Sequence, residues 1–148
     1  REEVSKNYIR PQRAYSDIVV SFYRPQGLEK ETGTQLSVQL ILRPTIKHPD
    51  FSRFIDSGLI QEPCCISATL GRDDGLPVDI LEIAVDIAHK TTRRVMKIVW
   101  DHLPGIAMPK TYIGKYRDGD EIKISNPLAI TQLITSYHLM NMKLEECR

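Results

Sequence analysis

Between residues 78 and 103 the hydrophobic period of the chain changes from two to about 3.6 residues, and this limits the fold more than any other feature. Over 78–88, Val78, Ile80, Glu82, Ala84, Asp86 and Ala88 alternate with Asp79, Leu81, Ile83, Val85 and Ile87. The second set is almost wholly apolar, so the pattern predicts a strand with that set facing the core. Over 91–103, Val95, Met96, Val99 and Leu103 fall on one helical face, with Thr91 or Thr92 as candidate cap and Pro104-Gly105 as the stop.

The remaining segments extend this α+β pattern. Residues 15–23 and 34–42 are rich in β-formers, the latter alternating Leu36, Val38, Leu40 and Leu42 with Ser37, Gln39 and Ile41. Pro25, Gln26, Gly27 and Gly33 between them predict a long antiparallel hairpin. Pro49, Phe51, Phe54 and Ile55 suggest a turn or two of helix ending at Gly58, residues 64–70 a strand, and 71–75 a polar turn. Strands at 112–116 and 121–125 flank Asp118-Gly119, a hairpin signal. Asn126 before Pro127 predicts a capped helix over 127–145, with Ala129, Ile130, Leu133, Ile134, Tyr137, Met140 and Leu144 on its apolar stripe. The expected fold is an antiparallel sheet of about five or six strands with two principal helices, 91–103 and 127–145, in a single domain over 14–148. Residues 1–13 show no period and are expected to form an extended arm, with Tyr8, Ile9 and Pro11 docking on a neighbouring subunit. The first residue is Arg rather than Met, which suggests the ordered part of a longer protein with an N-terminal tail.

Hydrophobic residues at 41% and charged residues at 26% exclude a disordered chain, and apolar runs as short as Leu40-Ile41-Leu42 exclude a membrane-spanning helix. Three cysteines, two of them adjacent (Cys64, Cys65 and Cys147), argue against a disulfide framework and for a reducing compartment. No metal site is expected, because His48, His89, His102 and His138 sit one per element without clustered ligands. Asp118 to Glu121 lacks the ligand spacing of a calcium loop, and Gly71 to Gly75 lacks that of a phosphate loop. Asp86 and His89, at i and i+3, could pair across the strand end, but a solvated polar end is the expectation. Enzymatic activity is not expected: a nucleophile would need a base and an orienting group beside it, the sequence neither places Cys64 or Cys65 near His102 nor excludes it, and a mid-strand cysteine is usually an inert small hydrophobe.

Charge placement carries the functional signal. The net charge is only +1, yet residues 90–117 hold seven cations and one acid, while residues 14–89 hold six and eleven. Lys90, Arg93, Arg94 and Lys97 share a sector about 100° wide opposite the apolar face of the 91–103 helix, and Lys110, Lys115 and Arg117 follow. Such crowding costs a few tenths of a kcal/mol per pair without interleaved carboxylates, which is understandable if an anionic surface lies opposite. Trp100, at the edge of the apolar face, is expected to seal the core.

Two blocks carry a family resemblance. Leu36 to Arg43, followed by proline and a short aromatic segment (Pro49, Phe51, Phe54), is one. The other is Ile80 to Ile87 leading through a charged helix to Ile98, Val99, Trp100, Asp101, His102 and Leu103. In order and local spacing they resemble the matrix proteins of rhabdoviruses, and the short segment between them fits a compact, plant-virus-like relative. The resemblance implies a structural subunit, without cofactor, that self-associates beneath the viral envelope. It also implies condensation of the helical nucleocapsid, peripheral binding to anionic membrane, and residence in the virion and in the host cytoplasm or nucleus. The alternative is a viral nucleic-acid-binding protein of silencing-suppressor type, whose basic helix would contact phosphates directly.

Overall fold

Val38, Leu40 and Leu42 are the centre of the structure: all three are fully buried, on one face of a strand with neighbours on both sides. The computed structural model describes residues 3, 5–25, 36–51, 65–103 and 113–146. Strands β1 (Ile18–Tyr23), β2 (Ser37–Leu42), β3 (Ile66–Asp73) and β4 (Leu76–Ile83) form an antiparallel sheet in the order β1-β2-β4-β3. The register sets Val38 opposite Ile83, Leu40 opposite Leu81, and Ile66 opposite Ile83 on the other side, giving a continuous apolar face. Helices α2 (His89–Trp100) and α3 (Asn126–Glu146) join that face in one core through Val95, Val99, Trp100, Ile130, Leu133, Ile134 and Tyr137. The outer face of the sheet is more polar, with half-buried Gln39 hydrogen-bonded to Glu82.

The chain is α+β, but the sheet is smaller than expected. Four strands form it, and β5 (Lys115–Asp118) with β6 (Glu121–Ile124) makes a separate two-stranded ribbon. Charges occupy much of this ribbon, and Ile122 and Ile124 are exposed, so it offers no buried apolar face with which to join the main sheet. It is fastened instead at its base, where Ser125 N–H donates to the Gly114 carbonyl and Gly114 N–H to Gln132 Oε1. Asp74 and Gly75, with φ of +50° and +80°, give the β3–β4 turn the two positive-φ residues of a type I′ hairpin, so β3 runs on to Asp73.

The strand expected over 78–88 ends at Ile83, because β2 begins at Ser37 and offers no further ladder. The Ser37 hydroxyl takes the Val85 N–H, and Ile87 reaches the core from outside the sheet. Helix α2 starts at His89 rather than 91 and ends at Trp100 rather than 103. Its N-cap is Ala88, which supplies no side-chain bond, and Thr92 lies inside the first turn with its hydroxyl donating back to the Ala88 carbonyl. Ser125, not Asn126, caps α3, its hydroxyl accepting from Leu128 N–H. Asn126 is the first helical residue and donates to the Ile87 carbonyl, tying the approach to α2 to the start of α3.

Residues 5–13 are wound rather than extended: Ser5–Ile9 is π-helical and α1 (Arg10–Arg13) is a single α-turn. A segment without a neighbouring strand satisfies its backbone internally, and winding does so. The expected helix at 49–55 lies, beyond its first residues, outside the described residues, as do Cys64, Cys147 and the Pro104-Gly105 stop.

Candidate functional site

Helix α2 is divided along its length. Thr92, Val95, Val99 and Trp100 are buried, while Lys90, Arg93, Arg94 and Lys97 are all exposed, as the helical period predicts. The four cations, with His89, Trp100 and Asp101, line a shallow depression of about 780 Å³. Lys90, Arg93 and Lys97 make no ion pair among the described residues, in contrast to Arg13, Arg43 and Lys123. The first turn of α2 carries no acidic residue, so the positive end of the helix dipole adds to the cations instead of being offset. Asp101, at the other end, is the one carboxylate on this lining.

The remaining predicted cations are placed differently. Lys115 and Arg117 are exposed on β5 and do not line the depression, and Lys110 lies outside the described residues. On that ribbon Lys123 is held by Asp118 at 2.6 Å and lies 3.7 Å from Glu121. Tyr8 is 68% exposed and Pro11 is exposed, both on the N-terminal turns, and the Ile9 side chain lies outside the described residues. His89 faces Asn126 Oδ1 at 3.4 Å rather than Asp86. His102 bonds the Ile98 carbonyl through Nδ1, closing the end of α2.

Trp100 is 7% exposed and packs in the main core. Trp100→Ala should cost about 3 kcal/mol in denaturant melts, the range for emptying a large core site. A loss under about 1 kcal/mol accompanied by failure to bind anionic vesicles would instead make the ring an interface anchor.

Two clusters had no signal in the sequence. Asp73 joins Arg13 and Arg43, each at 2.8 Å. His48 and His138 meet edge to face, Nδ1 of the first 3.3 Å from Nε2 of the second. The Arg43 carbonyl can only accept, so His48 donates to it through Nε2.

Burial, and after it the neighbouring His48, pushes the His138 imidazole down to about 4 from its ordinary 6.5. The folded state therefore binds fewer protons than the unfolded one between those values, and stability falls as pH drops from 6.5 towards 4. The expected loss is of order 2 kcal/mol. Thermal melts across this range should show it, and His138→Gln should flatten the slope. A wild-type profile flat from pH 7 to 4.5 would contradict the assignment.

Among the described residues no helix is long and apolar enough to cross a membrane, and no three His, Cys, Asp or Glu side chains converge as a metal site. Comparison with family models, curated proteins and solved structures gives no significant match.

Proposed function

We propose that the chain is a structural assembly protein of the rhabdovirus matrix type, without enzymatic activity, whose helix α2 docks against an anionic surface. The observation that carries the anion-facing role is the row Lys90, Arg93, Arg94 and Lys97, exposed on one side of α2 while its opposite side is buried. Crowded cations without interleaved carboxylates are easier to keep when an anionic partner lies opposite. The matrix type is supported by the sequence resemblance, whose strand blocks fall on β2 and β4 and whose Trp-Asp-His block falls at the end of α2. In this reading the subunit lies beneath an envelope, in the virion and in the infected cytoplasm or nucleus. There it bridges nucleocapsid and inner-leaflet lipid and self-associates through the turns bearing Tyr8, Ile9 and Pro11.

Direct binding of single-stranded nucleic acid calls for base-stacking aromatics beside the cations. Among the described residues the depression offers no Phe or Tyr; its rings are Trp100, which is buried, and the imidazole of His89, which faces Asn126, and Tyr116 does not line it. Lipid phosphate is therefore the favoured partner chemistry. The test is co-sedimentation with phosphatidylcholine vesicles, with and without phosphatidylserine, beside binding to single-stranded RNA. Binding confined to the anionic vesicles and falling steeply with salt is expected. Binding to RNA alone would move the chain to the silencing-suppressor alternative, and binding to neither would remove the anion-facing role.

A further inference from the structure

We infer that β1 is a pairing edge for a second copy of this chain, joining two four-stranded sheets into one antiparallel sheet of eight. The sheet order leaves β1 at an edge, and among the described residues no strand pairs with its outer side. The Asp17 carbonyl accepts from Arg43 N–H across the β1–β2 ladder. In an antiparallel pair the bonded positions alternate, so 17, 19, 21 and 23 bond to β2, and 18, 20 and 22 present their N–H and C=O groups outward. Protected edges use lysine, proline, a bulge or a short strand. β1 has none of these within it: six residues, Ile-Val-Val-Ser-Phe-Tyr, stay in unbroken register with β2, and Val20, Phe22 and Tyr23 are 38%, 45% and 41% exposed.

The opposite edge, β3, also lacks lysine, proline and a bulge and exposes Leu70, but it is more polar, carrying Ser67, Thr69, Arg72 and Asp73. α1 is anchored at the far end of β3 by the Arg13–Asp73 pair, and among the described residues no strand covers the outer side of β1.

A second copy is the occupant because the strand complements itself. A two-fold axis normal to the sheet preserves its faces, so opposed residues must share a face. Centred on Ser21, this symmetry sets Val20 against the second copy's Phe22 and Val19 against its Tyr23. Each exposed aromatic thereby meets a β-branched residue, a favourable cross-strand pair. Centring on Val20 would instead place Tyr23 opposite Asp17. This interface is distinct from the turns bearing Tyr8 and Pro11 and from the face of α2, so a chain that failed to bind vesicles would still pair here.

The experiment uses the full chain. Sedimentation equilibrium should show a reversible dimer, and Val20→Lys with Phe22→Lys should raise its dissociation constant about tenfold or more. The thermal midpoint measured at monomeric concentration should be little changed. Ser21→Cys supplies a second measurement that does not depend on the lysines being tolerated. At the two-fold axis it forms a non-hydrogen-bonded pair about 4.5 Å apart at Cα, close enough to bridge. Mild oxidation should then give a cross-linked dimer whose bridge maps to the peptide bearing position 21, and Ser67→Cys on the other edge should not cross-link. A wild-type chain that stays monomeric at millimolar concentration, or a dimer indifferent to the lysines with no bridge at position 21, would overturn the proposal.

Discussion

A chain carrying Arg93→Glu, Arg94→Glu and Lys97→Glu will bind phosphatidylserine vesicles with an affinity lower by orders of magnitude than the unaltered chain. Each cation held near an anionic membrane contributes about 1 kcal/mol, and reversal replaces that attraction with comparable repulsion. Three reversals therefore remove about 6 kcal/mol, roughly a ten-thousandfold change. The fold should survive, because all three side chains are exposed opposite the buried Val95 and Val99. Wild-type binding should itself weaken steeply with salt, since the attraction decays over about 8 Å at physiological ionic strength. Circular dichroism separates loss of binding from loss of fold. A folded triple variant that binds vesicles as tightly as wild type would return α2 to a solvated helix face, and one impaired only on RNA would transfer the site to the nucleic-acid reading.

The same helix shows where the sequence is informative. Its two faces follow from period alone, because burial on a single helix is a local geometric property. Val38, Leu40 and Leu42 were legible for the same reason: alternation marks an inward face, and all three are fully buried. Termini were less legible because they depend on neighbours. Whether β4 stops at Ile83 or continues to Ala88 is decided by where β2 begins, over forty residues earlier. Asn126 has the composition of a cap but is used to hold the Ile87 carbonyl, and Ser125 caps in its place.

Long-range clusters left no pattern at all. Arg13, Arg43 and Asp73 are drawn from an apparently aperiodic arm, the end of a strand and a polar turn. His48 and His138 are 90 residues apart. The candidate site was legible as far as one helix carried it. The placement of Lys115 and Arg117 on a separate ribbon depends on how β5 and β6 pack, which charge counting does not reveal.

Asp73→Ala will destabilise the fold by about 1–3 kcal/mol, the cost of leaving the Arg43 guanidinium without its charged partner in a part-buried pair. Arg43 is 5% exposed; its guanidinium bonds Asp73 Oδ2 and the Ala14 carbonyl, while its own carbonyl accepts from His48. Without Asp73 that charge remains buried and uncompensated. Arg13 holds the other carboxylate oxygen but is 46% exposed, so Arg13→Ala should cost under about 1 kcal/mol. This asymmetry within one cluster is what chemical denaturation of the two variants should read, and equal losses would refute it. Hydrogen bonds from Arg13, then Arg43, hold the Asp73 carboxyl below its ordinary 3.8. The corresponding stability is present above that value and is lost as pH falls through the lower folded one. The Asp73 effect thus lies in more acid solution than the His138 effect, and Asp73→Ala should abolish the first while leaving the second. The cluster also fixes α1 across the end of the sheet. In Asp73→Ala, trypsin should therefore cut after Arg13 faster than in wild type at temperatures where β2 and β4 remain folded.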